Sequence, residues 1–163
     1  MIKVLISSTA GIILADAVQS ELRVSHLYKH ISNQMQRVGY FGAAKHFAKE
    51  SAEELEHYQK IADYLNDRGS VAKLPEIEAF GDSITDLEAA LTKAYEEEIA
   101  LGDRYAKWYS TLLASDPITA QFLLQFLEIQ RLSIGDYADW LSRIALAKGD
   151  ASALLIIDKE LGD

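Results

Sequence analysis

A glutamate and a histidine three residues apart, Glu54 and His57, lie in the middle of a segment with helical periodicity. Residues at this spacing are neighbours on one helix face, and the rest of that face is largely apolar. A carboxylate buried among apolar groups is unfavourable unless a cation is buried with it. Because carboxylate and imidazole groups together suit iron, manganese or zinc, the pair predicts a metal site.

The preceding helical segment supplies a third candidate ligand, Glu21. Gly39 marks the turn between the two segments, and residues equidistant from the turn of an antiparallel hairpin face each other. The mean of 21 and 57 is 39. Glu21 is therefore predicted to lie opposite Glu54 and His57.

Two polar residues interrupt apolar stripes in the second half of the chain at corresponding positions. Glu97 follows Glu21 by 76 residues (97 − 21), and Gln130 follows Glu54 by the same number (130 − 54). Glu97 belongs to a run of three glutamates, and successive helical residues point about 100° apart. Glu97 fits the apolar stripe best, while Glu96 and Glu98 remain alternatives for the inward-facing glutamate.

Three carboxylates, one imidazole and one amide that converge in a bundle would repel each other unless metal lies between them. Two ions bridged by Glu54 would satisfy the preference of these metals for oxygen ligands and balance the charge. In this arrangement Glu21 and His57 hold one ion, and Glu97 holds the other. Gln130 lies close to the second ion.

The composition narrows the class of protein. The chain has 163 residues, which fits one domain spanning 1–163, and 49% of them are hydrophobic. The formal net charge of −9 argues against nucleic acid as a partner and allows an affinity for cations. There are no cysteines, so thiolate metal sites and disulfides are excluded, and we expect a cytoplasmic protein. No apolar stretch reaches the length of a membrane span.

Periodicity, glycines and the two prolines predict an all-helical chain. A connection of some 15 residues after Gly69 is long enough to run the whole length of a bundle. The sequence therefore predicts two antiparallel hairpins joined by a long crossover, which form a four-helix bundle with a short C-terminal fifth helix. The predicted helices are Ile12–Arg37, Phe41–Arg68, a third from a capping box at Thr85–Glu88 to Ala114, a fourth from Pro117 to Ala147, and a fifth after Asp150.

Three segments resemble the non-haem bacterial-type ferritins, of the ferritin-like di-iron four-helix-bundle family. LADAVQSELRVSHLY resembles their first helix, in which a tyrosine follows the glutamate by seven residues. FAKESAEELEHYQKIADYLNDRG resembles their second helix, and LLIIDKELGD resembles their C-terminal helix. The resemblance covers nearly the whole chain.

This resemblance implies a ferroxidase centre, where ferrous iron is oxidised by dioxygen or hydrogen peroxide. It also implies that Glu53 is a ligand of a third iron site, although Ile129 and Leu132 stand where acids are expected for that site. Leu55 occupies the position of the haem-binding methionine of bacterioferritins, so no haem is expected. The implied residues of the ferroxidase centre are Glu21, Tyr28, Glu54, His57, Glu97 and Gln130.

The resemblance further implies iron storage and detoxification, with two iron ions per subunit at the centre and the ferric mineral held in a hollow homo-oligomer of roughly 24 subunits. A di-iron peroxidase or oxidase of the same fold that stores no mineral is an alternative function. A bundle with a purely structural role is a second alternative. His46 and Glu50 are expected on the solvated surface.

Overall fold

The computed structural model describes residues 2–163 and contains five helices and no strand within that range. In the same range, none of the helices combines the length and the apolar character needed to cross a membrane. The prediction of an all-helical chain is confirmed. The helices are α1 (Ser8–Val38), α2 (Phe41–Asp67), α3 (Leu87–Leu112), α4 (Pro117–Ala147) and α5 (Ala151–Leu161).

Side-chain caps fix where most helices begin. Ser7 caps α1 by accepting a hydrogen bond from the Ala10 amide, so this helix starts four residues earlier than predicted. Asp116 caps α4 and Pro117 opens it, as predicted. The capping box at Thr85 is wrong, because the Asp86 carboxylate accepts from the Ala89 amide at 2.8 Å and α3 starts one residue later.

The first turn depends on glycine. Gly39 has φ 98°, a left-handed conformation that a side chain disfavours, and its amide donates to the Met35 carbonyl oxygen. This single residue ends α1 and reverses the chain, so that α2 begins at Phe41 and packs antiparallel to α1.

The long segment 69–86 crosses the bundle from end to end. At one end the Leu5 amide donates to the Arg68 carbonyl oxygen beside the start of α1. At the other end the ring of His30, near the end of α1, is 2.8 Å from the Asp82 carbonyl oxygen. The segment also contacts α1 midway, where the Arg23 guanidinium lies over the Phe80 ring. Helices α2 and α3 are consequently parallel, which confirms the predicted bundle topology.

The bundle interior is largely apolar, and buried glutamates lie near its middle. Helices α1 and α2 approach closely where Ser25 and Ser51 exchange hydrogen bonds, each hydroxyl donating to the other residue's backbone carbonyl oxygen at 2.7 and 2.8 Å. Helices α2 and α4 meet through aromatic pairs, including Tyr64 stacked on Phe122 at 4.0 Å. These contacts surround a small set of buried acidic and amide side chains.

Helix α5 contacts α2 and α4 and supplies a cap to α2. The residue before α2, Tyr40, makes no side-chain cap. The buried Asp158 carboxylate on α5 accepts instead from the amides of Gly42 and Ala43, at 3.0 and 2.7 Å. A negative charge at a helix N-terminus also complements the helix dipole. Gly42 is required there, because a β-carbon would overlap the backbone of Asp158.

Candidate metal centre

Three predicted ligands of the first hairpin lie together in the middle of the bundle. One ligand atom from each of Glu21, Glu54 and His57 lies within 4.8 Å of the other two. Nδ1 of His57 is 3.0 Å from Glu54 Oε2 and 3.5 Å from Glu21 Oε2. Both glutamates are buried, and Glu21 is fully inaccessible. The predicted placement of Glu21 opposite the Glu-x-x-His pair is therefore correct.

The inward-facing glutamate of α3 is Glu98, not Glu97. Glu98 is 1% exposed and lies on the buried stripe of its helix. Glu97 points away from the centre, and its Oε1 is 2.7 Å from Arg23 and 3.2 Å from Arg104. The predicted placement of Glu97 is wrong by one residue, because these two arginines hold its carboxylate at the bundle surface.

Three buried side-chain oxygens of the bundle have no hydrogen-bond partner. They belong to Glu21 (Oε2), Glu98 (Oε2) and Gln130 (Oε1). Gln130 is 2% exposed, as its predicted inward position requires. Because an unpaired buried acceptor is unfavourable, these atoms fit a site that is completed by a cation.

Two tyrosines complete the hydrogen bonding of the glutamates. The Tyr28 hydroxyl donates to Glu98 Oε1, and the Tyr105 hydroxyl donates to Glu21 Oε1. Both tyrosines are fully buried, and burial raises the pKa of each phenol well above its ordinary value. Tyr28 was predicted beside the centre. Tyr105 was not predicted to take part.

Protons compensate part of the charge at the centre. Burial alone would lower the pKa of His57, but the adjacent carboxylates of Glu21 and Glu54 raise it to about 10. Burial raises the pKa of Glu54, against the hydrogen bond from His57, and it raises the pKa of Glu98 to about 7, against the hydrogen bond from Tyr28. A metal that binds here must displace protons.

The third iron site gains no support from the surroundings of Glu53. Its side chain is 45% exposed, and its carboxylate is 3.4 Å from Lys49 on the same helix. On α4, Leu132 is exposed and Ile129 is half-buried, and neither has an oxygen to offer. A role for Glu53 in metal binding stays a prediction.

His46 and Glu50 are half-buried rather than fully solvated. Both lie near the buried Tyr137 of α4, whose hydroxyl oxygen is 3.4 Å from His46 Nε2 and 3.5 Å from Glu50 Oε2. Burial lowers the pKa of His46 to about 4. Burial, reinforced by Glu53, raises the pKa of Glu50 to about 7. The ring of Tyr137 is 6.4 Å from that of Tyr28.

A sequence signal for Glu98 and Tyr105 is present in hindsight. Tyr28 follows Glu21 by seven residues, and Tyr105 follows Glu98 by seven. No tyrosine follows Glu97 at that spacing, because residue 104 is an arginine. Applying the same glutamate–tyrosine spacing to both hairpins would have selected the correct glutamate.

The residues at the centre form a donor set that suits divalent transition-metal ions. They provide three buried carboxylates, one imidazole and one amide oxygen, and three of these groups have an unpaired oxygen aimed into the interior. Such a donor set suits iron and manganese better than the thiolate-preferring metals. An ion between the hairpins would also relieve the repulsion among the glutamates.

Comparison with known proteins agrees with this fold. A sequence profile described as the ferritin-like domain matches residues 13–147. A probable bacterial non-heme ferritin-like protein of Haemophilus influenzae is 28% identical over 152 residues, which are 93% of this chain and 92% of that protein. A bacterial non-heme ferritin of Staphylococcus aureus is 30% identical, over 91% of this chain and 90% of that protein.

A solved structure gives the same result for the fold. The open pore ferritin of the hyperthermophilic archaeon Archaeoglobus fulgidus superposes with a TM-score of 0.92 at 25% identity, covering 96% of this chain and 98% of that one. The sequence profile and the bacterial relatives extend over most of the chain. The chain therefore belongs to the ferritin-like family, as a non-haem ferritin of the bacterial type.

Proposed function

We propose that this protein oxidises Fe(II) to Fe(III) at a two-iron site in the middle of its bundle and stores the product inside a hollow homo-oligomer. The observation that carries the proposal is the buried cluster of Glu21, Glu54 and His57, supported by the unpaired buried oxygens of Glu98 and Gln130 on the other hairpin. Membership of the ferritin-like family supports iron handling in general. Iron is the substrate here, and no haem is required.

Each ligand has a distinct role in this proposal. Glu21 and His57 bind the first ferrous ion, and Glu54 bridges the two ions. Glu98 takes the role that the sequence assigned to Glu97 and binds the second ion, with Gln130 beside it. This assignment rests on burial, because Glu97 is neutralised by two arginines outside the centre.

The reaction transfers electrons from iron to an oxidant. Each ferrous ion loses one electron, and dioxygen takes up two electrons and two protons to become hydrogen peroxide, or four of each to become water. Hydrogen peroxide as oxidant takes up two electrons and two protons and gives two water molecules. The role of the protein is to hold both ions in a buried carboxylate site, where negative charge favours the ferric product.

Exposed apolar side chains support assembly into a homo-oligomer. Leu146, Leu155 and Ile156 are 79%, 56% and 58% exposed, and they lie on neighbouring parts of α4 and α5. Exposed apolar residues grouped in this way are typical of surfaces that contact another protein. We propose that other copies of the chain cover them in a closed shell of roughly 24 subunits, located in the cytoplasm.

Anaerobic titration followed by aerobic loading tests the proposal. Fe(II) added without oxygen should bind with an equivalence point of two ions per subunit, as followed by calorimetry. Repeated additions in air should then leave hundreds of iron atoms in each oligomer after gel filtration. An equivalence point of zero would overturn the two-iron site and with it the function.

A second function, di-iron oxidation without storage, is favoured by one observation. The surface of α2 and α4 outside the centre presents Leu55 and Leu132, which are 46% and 50% exposed and cannot attract ferric ions. An enzyme of this kind would oxidise Fe(II) rapidly but retain only a few ions per subunit. The retained iron after gel filtration therefore separates the two functions.

A further inference from the structure

Two tyrosine–glutamate hydrogen bonds cross the centre in a reciprocal arrangement. Tyr28 of α1 donates to Glu98 of α3, and Tyr105 of α3 donates to Glu21 of α1. The two glutamates are 77 residues apart (98 − 21), and so are the two tyrosines (105 − 28). The hairpins are thus related by a local two-fold symmetry in which each tyrosine serves the glutamate of the other hairpin.

The environments of the two phenols are also alike. Both side chains are completely buried, and each is fixed by aromatic neighbours. The Tyr105 ring stacks on Phe126 with centroids 5.0 Å apart and meets the edge of Trp108 at 5.1 Å. The Tyr28 ring lies 5.7 Å from Phe47. Because each hydroxyl is buried and donates its hydrogen bond to a glutamate, that glutamate is the group placed to receive the phenolic proton.

We propose that Tyr105 is a second redox-active residue beside Tyr28. Reduction of one dioxygen to water takes four electrons, of which two ferrous ions supply two and the two tyrosines supply the other two. This inference rests on the proposed function and adds two amino-acid electron donors to it. A hydrogen bond from phenol to carboxylate allows the electron and the proton to leave together, because the proton moves only to its existing acceptor. The hydroxyl of Tyr105 is placed for this as directly as that of Tyr28.

The electrons balance in this scheme. Two ferrous ions and two tyrosines each lose one electron, each tyrosine also loses its proton, and one dioxygen takes up the four electrons. With two further protons from solvent the products are two ferric ions, two tyrosyl radicals and two water molecules. Two further ferrous ions then reduce the radicals, each with uptake of one proton, which restores the phenols. The site consumes about four ferrous ions per dioxygen and releases no hydrogen peroxide.

Removing one hydroxyl at a time tests the scheme. The variants are Tyr28→Phe, Tyr105→Phe and the double variant, each of which keeps the aromatic ring. Tyr109→Phe is the matched control, since Tyr109 is half-buried one turn further along α3. Each protein is loaded anaerobically with two Fe(II) per subunit, mixed with dioxygen, and frozen for electron paramagnetic resonance. Ring-deuterated tyrosine identifies the radical.

The expected result is a tyrosyl radical in the wild type and the control, a signal reduced about twofold in each single variant, and none in the double variant. Hydrogen peroxide should appear in the double variant, and the ratio of iron oxidised to dioxygen consumed should fall from about four to about two. An unchanged radical yield in Tyr105→Phe would overturn the proposal.

A merely positioning role for Tyr105 would give a different pattern. In that case Tyr105→Phe would weaken anaerobic binding of Co(II), used as a redox-inactive probe, while the radical yield per bound iron stayed at the wild-type level. That result also overturns the proposal. A wild type that fails to oxidise Fe(II) would instead refute the proposed function itself, so the two failures are distinguishable.

Discussion

The two hairpins contribute unequal halves to the metal centre. The α1–α2 hairpin provides Glu21, Glu54 and His57, whose ligand atoms already contact one another. The α3–α4 hairpin provides Glu98 and Gln130 and no imidazole, and each of these two residues, like Glu21, leaves one buried oxygen without a partner. The backbone symmetry of the hairpins is therefore not matched by the chemistry of their ligands.

The difference lies mainly at one position. His57 gives the first hairpin an imidazole that can bind a metal when neutral and pairs with the carboxylates when protonated. The corresponding position in the second hairpin, 76 residues later, is Ser133. Serine is a poor ligand for divalent iron. The first half of the proposed site should therefore bind iron tightly and the second half loosely, which suits an ion that leaves after oxidation.

Removing the bridging carboxylate should have the largest effect. In Glu54→Ala both halves lose a ligand, and the initial rate of Fe(II) oxidation should fall by at least about 100-fold in stopped-flow absorbance measurements. Glu56→Ala is the control, because Glu56 is exposed on the same helix outside the centre. Similar rates in the two variants would contradict the bridging role.

Changing the glutamates of α3 tests which one belongs to the second half. Glu98→Gln should lower the oxidation rate by about 10- to 100-fold and reduce the anaerobic Fe(II) equivalence from two ions to one. Glu97→Gln should leave both measurements within about twofold of the wild type, since Glu97 contacts arginines rather than the centre. The opposite result would restore the assignment made from the sequence.

Strengthening iron binding by the α3–α4 hairpin should reduce the difference in iron affinity between the two halves of the site. Gln130→Glu replaces a neutral ligand with a charged one, so the affinity for the second ion should rise by about tenfold in anaerobic calorimetry. Release of iron from the centre should slow accordingly. Gln125→Glu on the exposed face of α4 is the control, and it should change neither quantity.

The smallest effect concerns the stability of the metal-free protein. The pKa of His57 is raised to about 10 in the folded state, above its usual 6.5, so the folded state binds more protons between these values. The contribution of His57 to the free energy of unfolding is therefore fully present below pH 6.5 and is lost as the pH rises to about 10. With chelator present, the melting temperature should fall by about 5 °C over this window.

The variant His57→Gln isolates this contribution. Its melting temperature should be lower at pH 6.5 and should change less between pH 6.5 and 10 than that of the wild type. Parallel pH profiles for the two proteins would show that the charge of His57 is not stabilised by Glu21 and Glu54.

Much of the fold could be predicted because the signals were local. Gly39 ends α1, Asp116 and Pro117 open α4, and Asp150 caps α5. Each of these residue types suits the backbone conformation or the capping hydrogen bond that its position requires. The start of α3 was misassigned because Thr85 and Asp86 are both good caps, and only the backbone geometry selects Asp86.

The residues of the site could be predicted only on helices where the periodicity allows a single inward-facing position. Glu97 and Glu98 are three and four residues after Ala94, and helical periodicity allows either spacing on one face. The choice depends on Arg23 and Arg104, which come from another helix and from two turns along the same helix. The hydrogen bond from Tyr105 likewise joins residues 84 positions apart, a contact that periodicity within one helix does not report.

The capping of α2 by Asp158 makes the metal centre sensitive to a remote part of the chain. Fraying of the first turn of α2 would spread along the helix that carries Glu54 and His57, although α5 touches neither ligand. Conditions that detach α5, such as proteolysis of the segment 148–150 or a bulky fusion beside Leu161, would therefore loosen iron binding without altering any ligand.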